Sequence, residues 1–519
     1  MKNNTPVFSS RWSMMLAMLG MAVGTGNIWR FPRIAAKNGG GEFLIAWIVF
    51  LFLWSIPLIL LEFGMGRKTR SGPIKSFVNL MGPKFAWMGA FVVFVASAIM
   101  FYYSVVAGWT VRYTVASLVG EIPGAVPGTF WTEFISSFVP VLTHALMIGL
   151  AIFVVAKGVK GIEKVTNILM PTLIGIILLL TIRALFLPGA SEGLSYLFSV
   201  DWAELGNPTI WIEALTQNAW DTGAGWGLVL CYAIYLREKE DTALNAFILP
   251  TTNNILSLLA GIMIFSTVFS IMPGLVEQSQ TNPELLQGLG SLKTEIENGA
   301  DYSPELLKNT IFSAGNEGIT FIWMPQLFKM MGFGQIFMFL FFLALAFAAF
   351  SSLVSLVEVA TRAFVDMGME RKKVIRWIGL VGFLMGVPSA LSMDFFANQD
   401  WVWAVALMVA GLFFTLSIRK YGIRKFREEQ INHPDSQIKV GRWWDIVIGY
   451  IAPLEMILLM AWFFYGNISA NPDSWYHIFS TDNTGTVLFQ FALVIGVLLL
   501  LNKWMVKKIE EAEEQKHSS

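Results

Sequence analysis

Cysteine is nearly absent: Cys231 is the single one in 519 residues, and it lies inside an apolar stretch. A disulfide within the chain and a thiolate metal cluster are therefore excluded. Histidine is almost as scarce. His144, His433, His477 and His517 are scattered with no HExxH or related spacing, which leaves no metalloenzyme motif. Charge is thin at 14% of residues, and 36 basic and 36 acidic side chains cancel to a net charge of zero, so no basic surface invites nucleic acid. No nucleophile stands beside a base at a recognised spacing, no catalytic residue is assigned, and the chain does not read as an enzyme.

What the chain has in quantity is hydrocarbon. Apolar residues make up 55%, with 42 Phe and 20 Trp, the composition of a polytopic membrane protein. Apolar segments of about 20 residues, the length that crosses ~30 Å of hydrocarbon, recur along the whole chain. They fall at 12–37, 43–66, 85–119, 138–156, 165–187, 210–235, 244–273, 334–367, 374–393, 401–419, 443–466 and 484–505, twelve in all. The first has no small-residue cleavage site and reads as a retained helix rather than a signal peptide.

Lysine and arginine concentrate on alternate connections. Arg67, Lys68, Arg70, Lys75 and Lys84 follow the second segment, Lys157, Lys160 and Lys164 the fourth, Arg371, Lys372, Lys373 and Arg376 the eighth, and seven more lie in 419–442. The loops near 120–137, 188–209, 394–400 and 467–483 have none. Because cytoplasmic loops carry the basic excess, the N-terminus (1–11) and the tail (506–519) are expected in the cytoplasm of a multi-pass protein of the cell inner (plasma) membrane, with the lipid bilayer as its surroundings. Lys507-Lys508-Ile509-Glu510-Glu511 in the tail reads as a solvated helix end. The external connection 274–333 is long and partly apolar, and reads as a helical lid, with a passive surface loop as the alternative.

Two of the apolar segments are interrupted. The first contains Gly20-Met21-Ala22-Val23-Gly24-Thr25-Gly26-Asn27, and the sixth Trp220-Asp221-Thr222-Gly223-Ala224-Gly225-Trp226-Gly227. Hydrocarbon offers no partners to backbone N–H and C=O groups, so a helix breaks at membrane depth only where protein, water or a ligand satisfies them. Glycines for close helix packing are the rival explanation of either run alone. The breaks lie five segments apart, so the second unit enters the membrane in the opposite sense, the pattern of an inverted repeat with a site near the midplane. Ser351, Ser352 and Ser355, and Thr251-Thr252-Asn253-Asn254 with Ser257, add hydroxyls and amides at the same depth.

The stretch Gly20-Met21-Ala22-Val23-Gly24-Thr25-Gly26-Asn27-Ile28-Trp29-Arg30-Phe31-Pro32, then Asn38-Gly39-Gly40-Gly41, then Glu62-Phe63-Gly64-Met65-Gly66-Arg67, closely resembles the opening of the neurotransmitter:sodium symporters. The resemblance continues through the tenth segment at least and is nearest to the bacterial amino-acid members. It implies an all-α polytopic membrane protein of twelve transmembrane helices. Two inverted five-helix repeats (12–187 and 210–419) with broken helices 1 and 6 would be followed by two peripheral helices (443–505).

By matching position, the resemblance implies two sodium sites. One would use the Ala22 carbonyl, Asn27, Asp221, Asn253 and the substrate carboxylate; the other carbonyls of Gly20, Val23 and Ala348 with the hydroxyls of Ser351 and Ser352. The substrate carboxylate would meet Thr25 and Gly26 N–H and Tyr103. Its ammonium would face carbonyls at Ala22, Trp220, Asp221 and Gly223, and Ser352 would lie beside it. Half-helix N-termini favour the anion and C-terminal carbonyls the cations. Gly24 stands where monoamine carriers have aspartate, which favours a substrate that brings its own carboxylate. Ile99, Tyr103, Trp220, Gly223, Trp226 and Leu356 would line the side-chain pocket, which suits a hydrophobic or aromatic amino acid.

Asp221 departs from the serine or threonine of many relatives. Gln217, Asn253 and Ser257 match chloride-dependent members, so the Asp221 carboxylate is expected to substitute for chloride; Trp47, in place of a chloride-ligating tyrosine, points the same way. Arg30 and Asp400 match the external gate and Asp366 the acidic half of the internal one. The usual internal arginine is replaced by Thr5 and the usual tryptophan by Phe8, leaving Lys2 or Arg11 to compensate. The expected activity is sodium-coupled, chloride-independent import of an amino acid by alternating access. An amino-acid sensor on a transporter fold and an ion channel are the rival readings. Which amino acid, the ion stoichiometry, proton counter-transport and oligomeric state stay open.

Overall fold

The computed structural model describes residues 6–518 apart from 288 and 435. Among the described residues every regular element is helical. Nine helices among the described residues are long and apolar enough to cross a membrane: Gly41–Thr69, Pro83–Leu118, Val159–Leu185, Thr242–Thr281, Gly334–Asp366, Arg371–Leu391, Met393–Tyr421, Trp443–Ala470 and Thr484–Gln515. A tenth arises if Pro127–Ser136 and Val139–Val155, bent by 76°, count together. The uninterrupted spans thus number fewer than twelve. Segments 12–37 and 210–235 are cut into pieces too short to count, and Val139–Val155 has only 17 residues.

The two interruptions form for different reasons. Helix Arg11–Ala22 starts on Ser10, whose side chain accepts from Ser13 N, and ends on extended Val23 (φ −72°, ψ 102°). A π-helical turn, Gly26–Arg30, then leads into helix Phe31–Lys37. None of Gly20, Gly24 and Gly26 adopts positive φ. Gly20 and Gly24 are needed for space instead: a Cβ at Gly24 would stand 2.9 Å from Tyr103 Oη, and one at Gly20 3.1 Å from Ser351 Cβ, whereas one at Gly26 would meet only Asp221 Oδ1 at 3.6 Å. The second break, between Pro208–Asp221 and Leu228–Ala233, does turn through the left-handed region, at Gly225 (φ 86°) and Gly227 (φ 77°) among others, where a side chain would be strained.

The broken segments are enclosed by long helices. Ala86–Leu118 runs against Gly334–Asp366, and both are mostly buried over their 33 residues. Thr242–Thr281 has 40 residues, about 60 Å at ~1.5 Å per residue and twice the ~30 Å of hydrocarbon. It therefore continues into 274–333, where Gly290–Glu297, Pro304–Asn309, Gly315–Glu317, Gly318–Trp323 and Met324–Lys329 complete a helical cover.

At the face carrying both chain ends, the tail differs from a solvated helix end. Helix Thr484–Ser518 keeps Ile509 and Ala512 buried, Ala512 lies against the Gly368 turn, and Glu513 pairs with Lys75 at 2.7 Å. Apolar residues three apart in a charged stretch make one packing face.

Candidate functional site

A cavity of about 510 Å³ opens where the two breaks meet. All twelve residues expected to meet the substrate line it, together with Arg30 and Asp400. Its lining extends to Arg33, Asn467 and, from the lid, Glu317. Arg33 donates to Asn316 Oδ1 at 2.8 Å. Burial pushes the Glu317 carboxyl up from its ordinary value; Asp400 adds to the rise and Arg33 opposes it.

Arg30 and Asp400, expected to close above the substrate, form no ion pair. The Arg30 guanidinium lies 5.9 Å over the Trp220 ring and donates to Gln217 Oε1 at 3.1 Å, which keeps it on its own side of the passage.

At the first break Thr25 N donates to Tyr103 Oη at 3.2 Å and Gly24 N to Asn27 Oδ1 at 2.7 Å. The Asn27 amide group donates to Asn253 Oδ1 (2.9 Å) and Ser257 Oγ (2.8 Å), and Ser257 donates to Asp221 Oδ2 at 2.6 Å. Among the described residues, Asp221 Oδ1 is buried with no hydrogen-bond partner. An unpaired carboxylate oxygen in hydrocarbon is costly, and as a hard ligand it suits a small cation; the Asn27 and Asn253 oxygens accept from Gly24 N and the Asn27 amide group respectively, and each keep a second lone pair.

Asn254, Asn218 and Ser55 extend this network: Asn218 Oδ1 accepts from both neighbours, and its amide group donates to the Trp47 carbonyl at 2.9 Å. The sequence reading missed Asn218 and Ser55, although an amide and a hydroxyl inside apolar segments were available signals.

Ser352 Oγ lies 3.3–3.4 Å from three carbonyl oxygens, those of Gly20, Met21 and Val23. One hydroxyl proton serves one acceptor, so two carbonyls converge there without a donor from it, an arrangement that also suits a cation. Met21 was not anticipated. Ser351 bonds back to the Ala348 carbonyl at 3.0 Å.

The N–H groups of the second break are taken by Glu62. Its Oε1 accepts from Gly225 N at 2.7 Å and Oε2 from Leu230 N at 3.0 Å, and the residue is fully buried. A carboxylate inside apolar run 43–66 was the available signal. Glu62→Gln, which loses one acceptor, is expected to destabilise the protein by about 1–3 kcal/mol; a thermal unfolding curve within error of wild type would contradict this.

A family model for the sodium:neurotransmitter symporter family matches residues 5–137 and 135–511. The chain belongs to this family. An uncharacterized sodium-dependent transporter of Methanocaldococcus jannaschii is 30% identical, covering 95% of this chain and 96% of that one. The sodium-dependent transporter YhdH of Bacillus subtilis, itself uncharacterized, is 30% identical over 88% and 98%. Sodium-dependent nutrient amino acid transporter 1 of Drosophila melanogaster is 26% identical over 88% and 77%. The crystal structure of MhsT in complex with L-phenylalanine is similar with a TM-score of 0.71 at 28% identity, covering 88% of this chain and 99% of that one. Membership makes the protein a membrane-spanning, sodium-dependent transporter rather than an enzyme.

On the terminal face the symporter is closed. Phe8 packs edge-on to Tyr232 and Tyr235, and its N–H donates to the Tyr235 carbonyl at 3.0 Å. Ser9 N and Oγ donate to Glu163 Oε1. Tyr232 bonds Ser355 at 2.8 Å, and Tyr235 bonds Glu358, which pairs with Arg371. Among the described residues, Asp366 is held by Arg362, one turn earlier on the same helix, at 2.9 Å, and accepts from Gly72 N. Arg11, expected to compensate, goes to Glu240 (3.5 Å) and Asn245. Lys2 and Thr5 lie outside the described residues.

Proposed function

We propose that this symporter imports an amino acid, hydrophobic or aromatic, together with sodium by alternating access, without a requirement for chloride, across the cell inner membrane with both termini cytoplasmic. The observation that carries this reading is the unpaired Asp221 Oδ1 beside Asn27 and Asn253, at the level where the half-helix ends meet the cavity. A sodium ion there would join Asp221, Asn27, Asn253 and the Ala22 carbonyl to a substrate carboxylate seated on Thr25, Gly26 and Tyr103. A second would sit among Gly20, Val23, Ala348, Ser351 and Ser352. The ammonium would face the free carbonyls of the second break. Ile99, Leu356 and the indoles of Trp220 and Trp226 offer an apolar side-chain pocket. The L-phenylalanine bound by MhsT and the nutrient amino acids named for the insect relative agree with this substrate class.

In the cycle proposed, sodium and substrate enter from the lid side, Arg30 and Asp400 approach above them, and the Phe8 segment releases below. Two sodium ions crossing ~100 mV release about 4.6 kcal/mol, at ~2.3 per charge. That sustains more than about a thousandfold solute gradient before the sodium gradient is added.

Counterflow in proteoliposomes tests the reading: unlabelled phenylalanine inside is expected to accelerate entry of labelled phenylalanine only when sodium is present. A channel gives no counterflow, and a sensor gives binding without flux.

A further inference from the structure

The second break leaves two kinds of orphaned backbone group. Its N–H groups at Gly225 and Leu230 are taken by Glu62. On the carbonyl side, Asn218 still receives Thr222 N at 3.3 Å. The next carbonyl, Ala219, is reached by a side chain: Trp226 Nε1 donates to it at 3.0 Å. Trp226 lies beyond Gly223 and Gly225, so one indole ties the end of Pro208–Asp221 to the segment leading into Leu228–Ala233.

The same indole meets the Trp220 ring edge-on at 5.5 Å, Trp220 lies beneath the Arg30 guanidinium, and Arg30 is held by Gln217. Direct contacts therefore run from the pocket wall to the outer gate.

We propose that Trp226 is a positioning residue: its indole N–H replaces the missing helical hydrogen bond across the second break, which sets the angle between the half-helices and places the Trp220 ring that carries Arg30. With the Ala219 carbonyl occupied, the carbonyls of Trp220, Asp221 and Gly223 are the ones presented to a substrate ammonium. A pocket wall acts through side-chain size and changes the ranking of substrates. A strut acts on backbone that every amino acid shares, and changes their binding together. The substrate half of this inference rests on the amino-acid reading above; the strut itself is testable without any ligand.

The test uses full-length Trp226→Phe, which keeps a ring and loses the donor. Without amino acid, hydrogen exchange of the 219–230 segment is expected to run about tenfold faster than in wild type, and unchanged exchange would overturn the strut. In uptake assays KM is expected to rise about tenfold for alanine as well as for phenylalanine; a rise confined to phenylalanine would leave Trp226 a wall and refute the proposal. Should the variant not fold, wild-type protein with nitrogen-15 tryptophan decides the matter. The Trp226 indole N–H is expected to exchange far more slowly than that of Trp202, which is 74% exposed, and equal rates would refute the bond. Absence of amino-acid flux in wild type would count against the proposed substrate class, and the exchange measurements would still judge the strut.

Discussion

Replacing Asp221 with serine is expected to make sodium-driven uptake depend on chloride, whereas wild-type uptake is expected to be unchanged when chloride is exchanged for gluconate. Asp221 is 2% exposed; its Oδ2 takes the Ser257 hydroxyl and its Oδ1 has no partner. If that oxygen faces sodium, the carboxylate supplies the negative charge that the buried cation needs. Removing one member of a buried ion pair costs about 3–5 kcal/mol, which corresponds to a loss in sodium affinity of about two orders of magnitude or more. In the serine variant the Ser257 hydroxyl loses its short bond to Asp221 and keeps only a longer one to the Asn253 carbonyl at 3.3 Å, and among the described residues the Gln217 amide nitrogen is buried without an acceptor. Donors of that kind around a vacated negative charge suit a halide. Asp221→Ser should therefore be weak in gluconate and recover at least about tenfold in chloride, read as labelled-substrate uptake into proteoliposomes under a fixed sodium gradient. Collapse of wild-type uptake in gluconate would refute the assignment.

Gly24→Ala is expected to reduce uptake by up to about a hundredfold and to lower the melting temperature while still folding. The added Cβ would stand 2.9 Å from Tyr103 Oη and 3.2 Å from Ser352 Oγ. The first of these holds Thr25 N, and the second sits among three carbonyls of the broken helix. One methyl group therefore pushes on both the proposed carboxylate seat and the second proposed sodium site. Overpacking of this kind costs about 1–3 kcal/mol, concentrated here where substrate binds. The backbone at Gly24 has no positive φ, so the variant carries no left-handed strain and should fold. Near-normal uptake by folded Gly24→Ala would show that the substrate lies elsewhere in the cavity.

Most of what places these two residues was readable along the chain. Apolar length marks a span because the hydrocarbon has a fixed thickness, and glycine runs mark breaks because few other residues permit close backbone approach. Gly24 and Asn27 lie close together in one run, so their shared role follows from local pattern. Asp221 belongs to the second run, and only the inverted repeat and the family resemblance join it to the first. Residues whose partners are remote in sequence were harder to see. Glu62 meets Gly225 across 163 positions, and Asn218 meets Ser55 across the same separation. Trp226 looks like pocket wall in the sequence because the resemblance assigns it there, and a matching position says nothing about where an indole N–H points.

The ends of the chain make the same distinction. Composition made the tail look solvated, because Lys507, Lys508, Glu510 and Glu511 surround Ile509. Docking buries Ile509, and the Glu513–Lys75 pair fastens that contact. The absence of an internal-gate arginine at position 5 suggested a search for a nearby replacement. Among the described residues, Arg362 pairs with Asp366 from within the helix that bears it.

The amino-acid sequence by itself determined a membrane-spanning helical chain with two breaks and a family whose members move solutes with sodium, because hydrocarbon length, backbone interruption and a local motif are properties of contiguous residues. Only the tertiary structure decided which groups serve the broken backbone, that the outer pair stands apart while the terminal face is shut, and that Asp221 keeps an unpaired oxygen. Those are questions of distance between residues far apart in the chain, and hydrogen bonds and ion pairs depend on distances of a few ångströms that one-dimensional order does not contain.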